Sequence, residues 1–95
     1  MSLLKDKIAI VTGAASGIGR AGAELMAGAG ATAIVADINE EGGREVVATI
    51  LDAGHRATFI PVDVCETESV QKMVNETVEQ FGRIELAAYG RVGHA

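Results

Sequence analysis

The chain has 95 residues, room for one small domain, with 13 acidic residues against 8 basic ones and a net charge of −5. That balance excludes the basic footprint needed for non-specific binding to nucleic acid or an anionic membrane, and a 48% apolar content excludes a disordered chain. A single cysteine, Cys65, excludes an internal disulfide, and no Cys/His cluster has metal-ligand spacing.

Residues 1–7 lack the basic-then-apolar layout of a secretion signal. The longest uncharged stretches, residues 8–19 and 25–36, fall short of the roughly 18 apolar residues of a membrane span. A cytoplasmic protein is the expectation. Ile8-Ala9-Ile10-Val11 is continuous, apolar and rich in β-branching, the pattern of a strand buried on both faces. Ile18, Ala21, Leu25, Met26 and Ala29 then fall on one helical stripe, with Gly30 placed to end the helix. Ala33-Ile34-Val35-Ala36 reads as a second strand. Val46, Val47, Ile50 and Leu51 form the stripe of a second helix, stopped at Gly54. Phe59-Ile60-Pro61-Val62 reads as a third strand, at a sheet edge or ending at Pro61, which has no N–H for a ladder. Val70, Met73, Val74, Val78 and Phe81 mark a third helix, stopped at Gly82, with Cys65 at its N-cap. Residues 84–88 form a weaker fourth strand, interrupted by Glu85.

Strands alternating with helices predict a parallel α/β sheet. Its most informative segment is the turn between the first strand and first helix, Thr12-Gly13-Ala14-Ala15-Ser16-Gly17-Ile18-Gly19. Glycines there let the backbone turn tightly and approach a pyrophosphate, towards which the following helix points free N–H groups and its positive dipole end. The turn is not a P-loop, because no Lys-Ser/Thr follows the last glycine, and its spacing departs from G-x-G-x-x-G. Asp37 ends the second strand, 18 residues after Gly19. A carboxylate there accepts hydrogen bonds from both ribose hydroxyls of an adenosine and repels a 2′-phosphate. Ile38, Asn39, Ala15 and Ser16 bring no cation to offset that repulsion, so NAD is favoured over NADP. The competing reading of a glycine-rich turn is a plain tight connection, and of Asp37 a turn residue or helix cap. Their order and spacing within one βαβ unit favour the nucleotide site.

Thr12-Gly-x-x-x-Gly-Ile-Gly19, Asp37, Asp63-Val64 and Phe81-Gly82-Arg83-Ile84 resemble the N-terminal, cofactor-binding half of the short-chain dehydrogenase/reductase family. The resemblance runs from about Lys5 to about Leu86 and implies a partial Rossmann fold. Four parallel strands in the order 3-2-1-4 would carry three helices, the first two on one face and the third on the other. It implies NAD(P)-dependent oxidoreduction of alcohols and carbonyls, and Asp37 favours NAD over NADP as the cofactor. Gly13, Ala15, Ser16, Gly17, Ile18, Gly19, Asp37 and Ile38 would bind it, with Asp63 lining the adenine through its side chain and Val64 through its backbone. For Asp63 a helix-capping role is the alternative.

Residues 1–95 read as one NAD(P)-binding half-domain that departs from the family after about residue 86. The family's Asn-Asn-Ala-Gly turn is replaced by Leu86-Ala87-Ala88-Tyr89-Gly90, and four residues after Tyr89, the single tyrosine, stands Gly93 rather than lysine. Reducing a carbonyl needs a proton donor tuned by a nearby cation, and the family's serine and Tyr-x-x-x-Lys have no counterpart. No catalytic residue is assigned, nor any metal ligand. His55, in a turn after Gly54, is expected to be exposed, and His94 stands next to the terminus. The expectation is a truncated part of a dehydrogenase, arising by frameshift, alternative exon or gene fragmentation, inactive alone. The alternative is a non-catalytic nucleotide-binding or interaction module. A partner chain or self-association would cover its under-covered sheet face. An independent small oxidoreductase with unusual catalytic residues is a third reading.

Overall fold

Continuous apolar runs leave no face for water, and the computed structural model, which describes residues 3–89, puts them in the interior of a sheet. The elements in chain order are β1 (Ile8–Thr12), α1 (Gly17–Gly28), β2 (Thr32–Asp37), α2 (Glu40–Asp52), β3 (Arg56–Pro61), α3 (Thr67–Phe81) and β4 (Leu86–Tyr89). All of β1 is buried, as is β2 up to Ala36. In β3 only Ile60 is buried, which fits its place at one edge. The strands are parallel in the order β3-β2-β1-β4, with Ile8 opposite Thr32, Thr32 opposite Arg56 and Ala9 opposite Leu86. The expected order is the observed one, and β3 both lies at an edge and stops at Pro61.

Alternation along the strands splits the core between two faces. Val11, Ala33 and Val35 pack with Ala23 and Ala27 of α1 and Val46 and Ile50 of α2. On the other face Ile8, Ile10, Ile34, Ala36, Ile60 and Val62 pack against Met73, with Val70, Val74 and Phe81 of α3 alongside. The right-handed crossovers thus put two helices on one face and one on the other, as topology requires. Gly30, Gly54 and Gly82 follow or cap the three helices, all with positive φ.

Three sequence expectations need correction. The stripe expected for α1 points largely to water: Ile18 is 83% and Leu25 76% exposed, Ala21 is exposed, and only Met26 packs against the core. The buried residues are Gly19, Ala23 and Ala27, whose small size lets α1 lie close on β1 and β2. A Cβ on Gly19 would stand 2.2 Å from the Gly13 carbonyl oxygen, so that approach excludes any larger residue. In α2 and α3 the stripes hold except at their rims, where Leu51 and Val78 are exposed while Gly43 and Thr77 are buried. The N-cap of α3 is Glu66 rather than Cys65, because the Asp63 carbonyl holds residues 63–66 in a turn that delays the helix by one residue.

Candidate functional site

The loops after β1, β2 and β3 gather at the carboxyl ends of the strands. The chain runs from β1 to β2 and β3 on one side and returns to β4 on the other, so the first loop sits where strand order reverses, the usual place for a ligand crevice. After Thr12 the chain turns through Gly13 and Gly17, with φ of 68° and 60°, a conformation side chains with a Cβ rarely adopt. Ser16 then caps α1 in position only: its backbone is extended and its side chain makes no capping hydrogen bond. The first turn of α1 carries no acidic residue, whereas α2 has Glu40, Glu41 and an Asn39 side chain accepting the Gly42 N–H at 3.0 Å, and α3 has Glu68. Among the described helices, α1 is therefore the one whose positive end its own first turn leaves uncompensated.

Asp37 binds this turn to the next. Its Oδ2 accepts the Ala15 N–H at 2.9 Å and its Oδ1 accepts the Asn39 N–H at 2.9 Å. The Ala14 N–H donates to the Ala36 carbonyl at 3.3 Å, and the Val62 N–H to the Asp37 carbonyl at 3.1 Å. The carboxylate is thereby fixed in position, and each oxygen keeps a further lone pair for a donor from outside. Asp37 thus fixes a turn, as one of its two readings expects, and still presents acceptors. Asp63 is held similarly: its Oδ1 accepts the Cys65 N–H at 3.0 Å and its own N–H donates to Ser69 Oγ at 2.8 Å. Its side chain closes a turn rather than capping α3.

Gly13, Asp37, Ile38, Asp63 and Val64 line one open cleft of about 280 Å³. Val62 and Cys65, which the sequence reading did not select, complete its wall. Two carboxylates set among apolar side chains, with no Lys or Arg in the lining, suit neutral hydroxyl or amino donors and a flat apolar ring. They disfavour a dianion. Lys72 stands in a neighbouring groove with Ile38, Asp63 and Ser69. The other selected residues lie beside the cleft. Ser16, Gly17 and Ile18 are exposed where α1 begins, Ala15 reaches Asp37 through its N–H, and Gly19 is buried against the turn. The backbone donors and carboxylate acceptors therefore fit a dinucleotide.

Among the described residues, no group of three or more His, Cys, Asp or Glu is arranged to hold a metal ion, and no helix is long and apolar enough to cross a membrane. His55 is exposed and β4 ends at Tyr89. His94 and Gly93 lie outside the described residues.

The profile of the short chain dehydrogenase family matches residues 7–89. A short chain dehydrogenase/reductase of Aspergillus oryzae is 48% identical over 92 residues, 96% of this chain and 35% of that protein. A 2,5-dichloro-2,5-cyclohexadiene-1,4-diol dehydrogenase of Sphingobium indicum is 44% identical over 87 residues, 92% of this chain and 34% of that protein. A crystal structure of hydroxysteroid dehydrogenase from Escherichia coli matches with a TM-score of 0.88 at 30% identity, covering 90% of this chain and 37% of the other. This chain spans about a third of the length of the curated relatives it matches.

Proposed function

The chain belongs to the short-chain dehydrogenase family, and from that membership we propose that residues 1–95 form the NAD-binding half-domain of an NAD-dependent alcohol or carbonyl oxidoreductase. The observation that carries the reading is the single cleft shared by Gly13, Asp37, Ile38, Asp63 and Val64 beside the uncompensated start of α1. The nicotinamide cofactor accepts or delivers a hydride when bound. The chain's own residues do the holding. Gly13, Ala15, Ser16, Gly17, Ile18 and Gly19 form the turn that would hold the pyrophosphate, its negative charge matched by the first N–H groups of α1 and its dipole. Asp37 accepts from the adenosine ribose hydroxyls. Ile38, with Asp63 through its side chain and Val64 through its backbone, would hold the adenine end.

A 2′-phosphate would meet the Asp37 carboxylate with no guanidinium or ammonium in the cleft lining, which supports NAD over NADP. Catalysis is a separate matter. Lysine occurs at positions 5, 7 and 72, and the single tyrosine, Tyr89, has Gly93 four residues on, so these 95 residues supply no Tyr-x-x-x-Lys proton donor. We infer that they do not turn over substrate by themselves. Relatives named for a chlorinated cyclohexadiene diol and a hydroxysteroid share this third of their length, which supports a substrate pocket built elsewhere.

Calorimetric titration of the purified chain with NAD⁺ and NADP⁺ tests the reading. Binding of NAD⁺ at least about tenfold tighter than NADP⁺, a difference of about 1.4 kcal/mol, is expected. Equal or tighter NADP⁺ binding contradicts the role given to Asp37.

A nucleotide-binding module that works through a partner chain is the second reading, favoured by Leu25, 76% exposed on α1. Sedimentation as a single monomeric species, with no stoichiometric partner, would count against it.

A further inference from the structure

The loop between β3 and α3 is tied to its surroundings by few bonds, and one comes from a side chain that does not line the cleft. Ser69 is the third residue of α3 and half-buried. Its Oγ accepts the Asp63 N–H at 2.8 Å. Among the described residues, the loop's other ties run to β2, through Val62 N–H to the Asp37 carbonyl at 3.1 Å, join its last residue to α3, through Val70 N–H to the Glu66 carbonyl at 3.1 Å, or stay within the loop. Those within it are Cys65 N–H to Asp63 Oδ1 at 3.0 Å and Glu66 N–H to the Asp63 carbonyl at 2.9 Å. These bonds shape the loop and anchor its ends without fixing Asp63 to the helix. Ser69 does fix it, reaching back from the first turn of α3 much as the third residue of a capping box does.

We propose that Ser69 is a positioning residue of the nucleotide site, holding Asp63 and the adjoining Val64 at the base-binding end of the cleft. This rests on the nucleotide-binding reading above. A backbone N–H in a partly buried loop needs a partner, and here that partner is on a rigid helix rather than in the loop. Ser69 opens onto the neighbouring groove with Lys72, so any effect it has on a ligand runs through Asp63. Without the hydroxyl, the turn closed by the Asp63 carboxylate persists but pivots about Val62 and Glu66. The acceptor that meets the base then loses its fixed position while the sheet stays intact.

The test is calorimetric titration with AMP, which carries base, ribose and one phosphate, together with hydrogen exchange at the Asp63 amide. Ser69→Ala is expected to weaken AMP binding about tenfold, the scale of one net hydrogen bond, and to deprotect the Asp63 amide. Ser69→Thr, which keeps the hydroxyl, restores both. If Ser69→Ala does not fold, Ser69→Cys, of similar size and a weaker acceptor, serves for the same comparison. AMP binding at unmodified strength by the variant, with the Asp63 amide released, overturns the role of Ser69 alone. If the unmodified chain takes up no AMP, the nucleotide-binding reading falls and this proposal with it.

Discussion

Gly19 and Gly22 lie three positions apart on α1, yet alanine should act in opposite directions at the two. A Cβ on Gly19 would stand 2.2 Å from the Gly13 carbonyl oxygen, a backbone atom that cannot swing away. At Gly22 a Cβ meets nothing within 4 Å. Gly19→Ala is expected to lower stability by about 1–3 kcal/mol through overpacking, and Gly22→Ala to raise it by up to about 1 kcal/mol through helix propensity. Urea unfolding of both variants checks this. Stabilisation by Gly19→Ala would contradict the close seat of α1 on the turn. Gly19 and Asp37 were legible in the sequence because a turn glycine and a strand-end acid are fixed by their distance from a strand. Val62, Cys65 and Ser69 were not, since their relation to the cleft depends on how residues 62–66 fold back on α3. Ser69 did leave a trace: a hydroxyl residue in the first turn of an expected helix, six residues after Asp63.

At the scale of elements, β4 is fastened to β1 by a carboxylate in addition to its ladder. Glu85 Oε1 accepts the Ile8 N–H at 2.7 Å, while the Glu85 N–H donates to the Ile8 carbonyl at 3.0 Å. Arg83 pairs with the other Glu85 oxygen and donates to the Asp6 carbonyl. The Ile8 N–H holds the Glu85 carboxyl below its ordinary value against the partial desolvation that raises it, with Arg83 and Lys7 adding to the lowering. A depressed folded pKa contributes stability that is complete above the unfolded value, about 4.3, and is lost as pH falls through the folded one. Glu85→Gln is therefore expected to lower the midpoint of thermal unfolding at neutral pH and to flatten its decline below about pH 4. An unchanged acid limb would mean that Glu85 does not link the two strands. The sequence marked Glu85 as an interruption of a weak strand. In the structure the interruption is the fastening. The first helix was misread for a related reason: periodicity identifies an apolar stripe, but in α1 the seat against the sheet went to Gly19, Ala23 and Ala27. Closeness of approach, which small residues allow, outweighed the area that Ile18 and Leu25 would have buried.

For the whole molecule, the parallel pairing followed from alternating runs and the division of helices between the faces from right-handed crossovers, whereas the four-stranded order followed from the family resemblance. The first two are rules of chain geometry and need no side-chain detail. The radius of gyration, 12.0 Å, is that of a compact chain of this length, about 12 Å. Among the described residues, one helix nonetheless covers the face of the sheet on which Ile10 and Ile34 lie. We propose that the cleft at the carboxyl ends of the strands holds the adenosine side of NAD. Amide chemical-shift mapping of the ¹⁵N-labelled chain tests it most directly. Saturating NAD⁺ is expected to shift a contiguous set of amides in residues 13–19, at Asp37 and Ile38, and at Asp63 and Val64. Shifts confined to the opposite end of the sheet, around Arg56 and Arg83, or no shifts from a well-dispersed spectrum, would contradict it.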